Sequence, residues 1–400
     1  MLGLPLLTGC YELTVGKPRD AGPGGNCEPG WAGASCDICV RFVTEGGTGA
    51  PDYYSWATAG NSVPEAIQLA EDAVNDGTAD PCEVWVAKGT YFIYDISEHD
   101  TVQMVSSVNL YGGFSGAGTE YERDQRNPFT NPTALSGHAP AVEGQVFHVV
   151  TGSSNATIDG FVIEGGVADG DGDDALGGGM INVGVGPTIN NCVFQNNYAA
   201  AGGGGMFNQN ADPRVHNSRF HANSTGYAGG GLVSDYGTTF VENCTFTANS
   251  AASYSGALDI WSDDPENAAF AEVHHSSFAN NTSGVTSYGS STVYLRNCAF
   301  AGNEDHEIQA TNDGVVQIQR CVVLGGTEDG MIDGDPGFTD PSDGDLSINA
   351  DSPCIDAADS TYSPPTDIEG SPRVDDPNTD NDGAGEIEYV DIGAYEFQAG

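Results

Sequence analysis

The sequence predicts an all-β chain folded as a right-handed parallel β-helix solenoid, with coils of roughly 22–26 residues and an N-terminal capping helix. Three observations lead there. A short segment recurs seven times, a Gly-rich tract precedes the repeat in constant register, and an Asn follows a large aromatic at fixed spacing. The segments are 157–163, 188–194, 214–220, 240–246, 272–278, 294–300 and 317–323. Their first apolar anchors are Ile158, Ile189, Val215, Val241, Val273, Leu295 and Ile318, spaced by 31, 26, 26, 32, 22 and 23 residues. The two long intervals read as coils carrying an inserted loop.

Within each segment an apolar residue alternates with a polar one, as a half-buried strand requires. The fourth position holds Asn191, Asn217, Asn243, Asn297 or Gly160, residues that tolerate the left-handed backbone of a corner. A small residue (Cys192, Ser218, Cys244, Ser276, Cys298, Cys321) and a large one (Phe194, Phe220, Phe246, Phe278, Phe300) then alternate at period two. Stacked coils would turn these into internal columns. Three residues past each Phe stands Asn197, Asn223, Asn249, Asn281 or Asn303, whose amides can bond from coil to coil. A further strand opens on three Gly at 177–179, 203–205 and 229–231, followed by Met180, Met206 and Leu232, each nine residues before the next anchor. Ahead of the coils, Ser62 and Glu65 have capping-box spacing, with Pro64 in the first turn. Val63, Ala66, Ile67, Ala70 and Val74 recur at helical period, which suits a helix closing the open end of a solenoid.

Composition bounds the function. With 57 Asp and Glu against 11 Lys and Arg, the 400-residue chain carries a net charge of −46. Such a surface repels nucleic acid, anionic lipid and acidic polysaccharide, and attracts divalent cations. Ten cysteines point to an oxidising compartment. Cys298 and Cys321, on adjacent coils, are close enough to bond, but an unpaired stack of small residues fits as well.

The chain divides into 1–10, 11–50, 51–350 and 351–400. At its start, 7–10 (Leu, Thr, Gly, Cys) resembles the lipobox of bacterial lipoproteins, which implies lipidation of Cys10. No Lys or Arg precedes it, so 1–10 is read as a truncated signal. Residues 11–50 read as a tether; Cys27, Trp31, Gly33, Cys36 and Cys39 resemble half of an EGF-like module, and a disulfide-stapled spacer or a metal site at Cys36 and Cys39 are both open. Over roughly residues 55 to 350 the pattern resembles the pectate-lyase-like β-helix superfamily. The closing residues, Asp351 to Asp356, Arg373 and Asp391 to Phe397, resemble bacterial surface proteins of the choice-of-anchor type. That resemblance implies an exported, cell-associated protein: an outer-membrane lipoprotein or an extracellular cell-surface protein, touching the membrane only through a lipid anchor.

The chemistry is less legible. Uronate lyases of this fold need Ca²⁺ and a basic residue, yet Arg214, Arg219, Arg296 and Arg320 form no cluster in the coils. The paired-Asp motifs of polygalacturonases are absent, and no phosphate loop or nucleophile-and-base set is recognisable. In the Gly-led strand the outward positions are Phe207 and Gln209, Val233 and Asp235, then Asp259 and Trp261. Asp235 and Asp259 would lie ~8 Å apart by strand and sheet spacing, inside the window for an inverting hydrolase. Phe207, Tyr236 and Trp261 could stack on sugar rings. Two loops offer Ca²⁺ ligands: Asp169, Asp171, Asp173 and Asp174, and an EF-like run of Asp376, Asn378, Asp380 and Asp382 that lacks its terminal Glu. Plain acidic loops are the alternative for both. The reading is therefore a monomeric, non-catalytic cell-surface protein with an acidic, calcium-binding face for adhesion or glycan contact. Its partner would be a neutral or weakly charged glycan or a surface protein, not nucleic acid. The alternative is a polysaccharide hydrolase or, less readily, a lyase.

Overall fold

A computed structural model describes residues 30–32, 38–48, 53–139, 141 and 143–398. Within them the chain winds as a right-handed parallel β-helix with three faces. The anchor face begins at Ile38–Val43, Cys82–Ala87 and Val108–Phe114, then runs through Thr157–Asp159, Thr188–Asn190 and Arg214–His216 to Val315–Gln319. The Phe face is a ten-stranded ladder from Gly89–Phe92 to Met331–Asp333. The Gly-led face includes Met180–Val183, Met206–Ala211, Leu258–Ser262, Val285–Gly289 and Ile308–Thr311. It joins the anchor face through one long strand, Leu232–Glu242, that serves both.

The predicted columns are present. Ile158, Ile189, Val215, Val241, Val273 and Leu295 pair in strict register and are fully buried. Phe194, Phe220, Phe246, Phe278 and Phe300 stack with centroids 4.7–4.8 Å apart and ring planes within 5°. That spacing is the inter-strand distance itself, so the backbone ladder dictates the ring stack. Beside it, each ladder Asn gives its amide hydrogens both to the next Asn and to a backbone carbonyl of the preceding coil. Asn223 Nδ2 reaches Asn249 Oδ1 at 3.0 Å and Phe194 O at 2.9 Å, while Asn223 N–H also donates to Asn249 Oδ1 at 3.1 Å. The column ends on Glu307, whose carboxylate accepts from Asn303.

Corners obey the same register. Asn191, Asn217, Asn243 and Asn297 adopt φ of 48–53°, and Gly160 adopts 83°. His275 and Arg320 take the same left-handed conformation at equivalent places, without Asn's local tolerance for it. In the tract 203–205 the three Gly have different duties. Gly203 has φ +66°, whereas a Cβ on Gly204 or Gly205 would meet the carbonyl oxygens of Ser224 or Gly231 at 2.3 and 2.5 Å. One residue turns the chain; the next two let coils approach.

The helix Val63–Asn75 stands in the coil between Ile38–Val43 and Cys82–Ala87 and covers the open core with Val63, Ala66, Ile67 and Ala70. Ser62 caps it by accepting from Glu65 N–H at 3.2 Å. The reciprocal half of a capping box is replaced, because Glu65 takes a hydrogen bond from Tyr53 at 2.6 Å. Ile38–Val43 lies in the stretch read as tether, yet it pairs in parallel with Cys82–Ala87, and a disulfide joins the register partners Cys39 and Cys82. Cys298 and Cys321 are free and buried. Cys10, Cys27 and Cys36 lie outside the described residues.

The closing segment does not cap the far end. After the hairpin Phe338–Asp340 and Asp345–Ile348 it doubles back along the outside of the Phe face. Asn243 Nδ2 donates to Thr366 O at 2.8 Å, and Ala394 N–H to Ser277 Oγ at 3.0 Å. Arg373 pairs with buried Glu396 at 2.9 Å, and burial together with Glu396 holds the Asp391 carboxyl above its usual range.

Truncating Phe246 to Ala should cost about 3–5 kcal/mol of unfolding free energy, since it empties the middle of the ring stack. Asn249→Ala leaves the buried Asn223 N–H unpartnered and removes the column's bonds to Asn281 and to Phe220 C=O, at ~1–3 kcal/mol or more. Chemical denaturation followed by circular dichroism would measure both.

Candidate functional site

The Gly-led face brings the predicted outward residues together in two columns. One runs Ile181, Phe207, Val233, Asp259, Thr286; the other runs Gln209, Asp235, Trp261, Tyr288. Asp235 and Asp259 are thus one coil apart and offset by two residues, as the strand pattern implies. Sequence reasoning missed the second wall. Corner segments form a ladder of their own, with Leu176, Gly202 and Ala228 bridged in parallel, and they lean over the first column. Phe207 and Val233 are buried against Leu176 as a result. Between wall and sheet lies a hollow of about 240 Å³ lined by Leu176, Phe207, Gln209, Tyr227, Asp235 and Trp261, among others.

Trp261 is the centre of an aromatic cluster. Tyr288, Tyr227 and Tyr254 approach it with centroids at 5.4, 6.1 and 6.3 Å. Tyr227 and Tyr254 come from the corner wall, which is why strand periodicity could not reveal them. Tyr236, expected among the stacking residues, sits at a bend with φ 61° and gives its hydroxyl to Asp263, outside the hollow. That bond holds its phenol up at about 12.

The two acids differ. Asp235 is half-buried and accepts from Gln209 Nε2 at 3.1 Å; burial raises its carboxyl, and that bond opposes the rise. Asp259 is only 2% exposed, and its Oδ1 is buried with no hydrogen-bond partner. With no cation beside it, desolvation pushes its carboxyl up to about 7. Trp261 Nε1 is also buried without a partner. An unpaired polar group of this kind costs ~1–3 kcal/mol.

The calcium candidates are not drawn together. Gly172–Ala175 forms a short 3₁₀ turn, and Asp174 faces His99 and His148 at 3.6 and 3.8 Å. Asp376 spends its oxygens on Asn378 and Thr379 of its own turn. Among the described residues no three acidic, His or Cys side chains converge as a metal ion requires. Two larger hollows hold charged groups that are already partnered. In one of about 450 Å³, Asp100 accepts from the N–H groups of Asp95, Ile96 and Ser97. In the other, about 350 Å³, Arg123 and Arg126 are paired with Glu83 and Asp159.

Comparison with known proteins adds little to this geometry. A family model described as "Protein of unknown function (DUF1565)" matches residues 65–251. No curated protein matches. One solved structure, described as "Crystal structure of pectate lyase Pel9A", is 12% identical and covers 90% of this chain and 96% of its own, with a TM-score of 0.40. The β-helix rests on the strand pairings above, and the activity in that description belongs to that protein.

Asp259 generates a pH signature. Its folded carboxyl titrates near 7 against 3.8 unfolded, so the folded state holds the extra proton between those values. Stability falls as pH rises from about 4 and the loss is complete above about 7. Asp259→Asn should therefore raise unfolding free energy by on the order of 4 kcal/mol at pH 8 and leave it unchanged near pH 3. Denaturant titrations at the two pH values test this. For the acidic loops, the scattered carboxylates predict that the melting temperature is the same in EDTA and in millimolar calcium.

Proposed function

We propose that this chain is an exported surface protein that binds neutral or weakly charged glycan without turning it over, in the groove between the Gly-led face and the corner wall. The observation that carries the reading is the cluster of Trp261, Tyr227, Tyr254 and Tyr288 above a hollow floored by Phe207 and edged by Gln209 and Asp235. Aromatic faces with a few polar groups suit the C–H faces and hydroxyls of a pyranose. The net charge of −46 selects against acidic polymers. An oxidising exterior is supported by the Cys39–Cys82 disulfide, and attachment through a lipid on Cys10 belongs to the same proposal. No helix among the described residues is long and apolar enough to cross a membrane.

A hydrolase would need Asp259 to reach a glycosidic oxygen. At 2% exposure its carboxyl lies under its neighbours, and the other acid near Asp235, Asp263, accepts from the Tyr236 hydroxyl outside the hollow. Binding is the reading we carry forward.

The test is a panel of soluble neutral polysaccharides measured by calorimetry, with product analysis on the same samples. Trp261→Ala and Tyr227→Ala should each weaken binding by roughly 5- to 10-fold, the scale of one lost aromatic contact. No reducing ends should accumulate. Sugar release that Asp235→Asn abolishes would replace this reading with the hydrolytic one, and wild-type protein that binds nothing in the panel would end both.

A further inference from the structure

The chain has few cations and places most of them with care. Six arginines lie over aromatic rings elsewhere in the molecule, as Arg214 does over Phe240 at 5.8 Å and Arg296 over Tyr362 at 4.6 Å. Buried acids are matched in the same way: Glu83 with Arg123, Asp159 with Arg126, Glu396 with Arg373. The groove of the Gly-led face departs from both habits. Among the described residues no cation lies over Trp261, Tyr227, Tyr254 or Tyr288. The hollow beside them is lined by no Lys, Arg or His, and its one charged side chain is Asp235.

Asp235 lacks a counter-charge. Its Oδ2 accepts from Gln209 Nε2 at 3.1 Å, and its Oδ1 has no donor among the described residues. Burial raises the carboxyl, Asp263 raises it further, and only the Gln209 bond opposes them. Asp259, enclosed in the neighbouring column, is also without a cation. Negative potential therefore reaches the hollow from two sources. One is the formal charge of a half-buried carboxylate; the other is the π faces of Trp261 and Tyr227, negative at their centres.

We infer that the ligand supplies this cation, and that the groove takes a glycan bearing free amino groups, a hexosamine chain. The inference rests on the glycan reading above and narrows it. A pyranose lays its C–H face on an aromatic ring, and an ammonium on a ring carbon at the sugar's edge donates to Asp235 Oδ1. A neutral sugar would satisfy the rings but leave the carboxylate uncompensated. A quaternary ammonium would satisfy the rings but has no N–H to donate. Acetylation of the amine removes the charge, and with it both the ion pair and the cation–π attraction. The net charge of −46 draws such a polycation toward the surface, while the groove fixes where it docks.

Calorimetry with hexamers of glucosamine and of N-acetylglucosamine tests this on the full chain. The measurement is made at about pH 6, where the sugar amine is protonated, and in about 150 mM salt to screen the diffuse surface field. Wild type should bind the free-amine hexamer at least ~10-fold more tightly than the acetylated one. Asp235→Asn should bring that ratio to within about twofold of unity, with circular dichroism confirming the fold. Asp329→Asn, at an exposed position far along the solenoid, should keep the ratio of the wild type. Equal affinity of wild type for the two hexamers would overturn the inference and leave neutral-glycan binding standing. A preference that survives Asp235→Asn would overturn it as well, since general surface acidity would then be the source. Wild type that binds a neutral polysaccharide but neither hexamer defeats this inference alone; wild type that binds no glycan ends both readings.

Discussion

Parallel strands stacked in register at ~4.8 Å leave each inward position facing its own kind, coil after coil. That constraint has a chemical price for every polar group it buries. An Asn column is stable only if each amide finds the next, and here Asn197, Asn223, Asn249, Asn281 and Asn303 do so, with spare hydrogens spent on backbone carbonyls. The Phe stack supplies the apolar counterpart. Order along the axis then follows from pairwise terms between neighbouring coils, as in other solenoids. The same rule explains the corner residues: a left-handed bend repeated at one level keeps every strand aligned, even where His275 or Arg320 must adopt it.

Outside the core the rule relaxes, and unlike residues share a column. Ile181, Phe207 and Val233 lead into Asp259, and Gln209 and Asp235 lead into Trp261 and Tyr288. What makes a site of these columns is the corner ladder through Leu176, Gly202 and Ala228, which adds a wall above one side of the sheet. Further along the first column Asp259 is buried, and its carboxyl loses water without gaining a cation, so its proton affinity rises. The groove that results is aromatic, nearly uncharged at its floor and narrow, on a molecule whose remaining surface is strongly acidic.

Where the repeat stops, the chain solves the problem twice in different ways. The helix buries one core cross-section under small residues such as Ala66 and Ala70. The closing segment buries the outside of the Phe face, where outward positions have become Ser277, Ala279 and Ala299 and allow close approach. Among the described residues it adds no strand to the outer edges of Ile308–Thr311 and Val315–Gln319. A fold built by stacking has no intrinsic end, so whatever terminates it must be supplied by a segment that breaks the pattern or by another chain.

The sequence by itself determined the solenoid, the Phe and Asn columns, the Asn corners and the outward register of Phe207, Asp235, Asp259 and Trp261. Period and register are local properties, repeated often enough to be read without coordinates. The helix over Val63–Asn75 was legible for the same reason, through its cap and its 3.6-residue spacing. Tertiary structure alone decided that Ile38–Val43 joins the sheet, that Tyr227 and Tyr254 wall the groove while Tyr236 turns away, and that the acids of the two loops stay apart. It also decided that Asp259 is enclosed. Each depends on what a non-repeating segment packs against, and spacing along a chain carries no record of its neighbours across space.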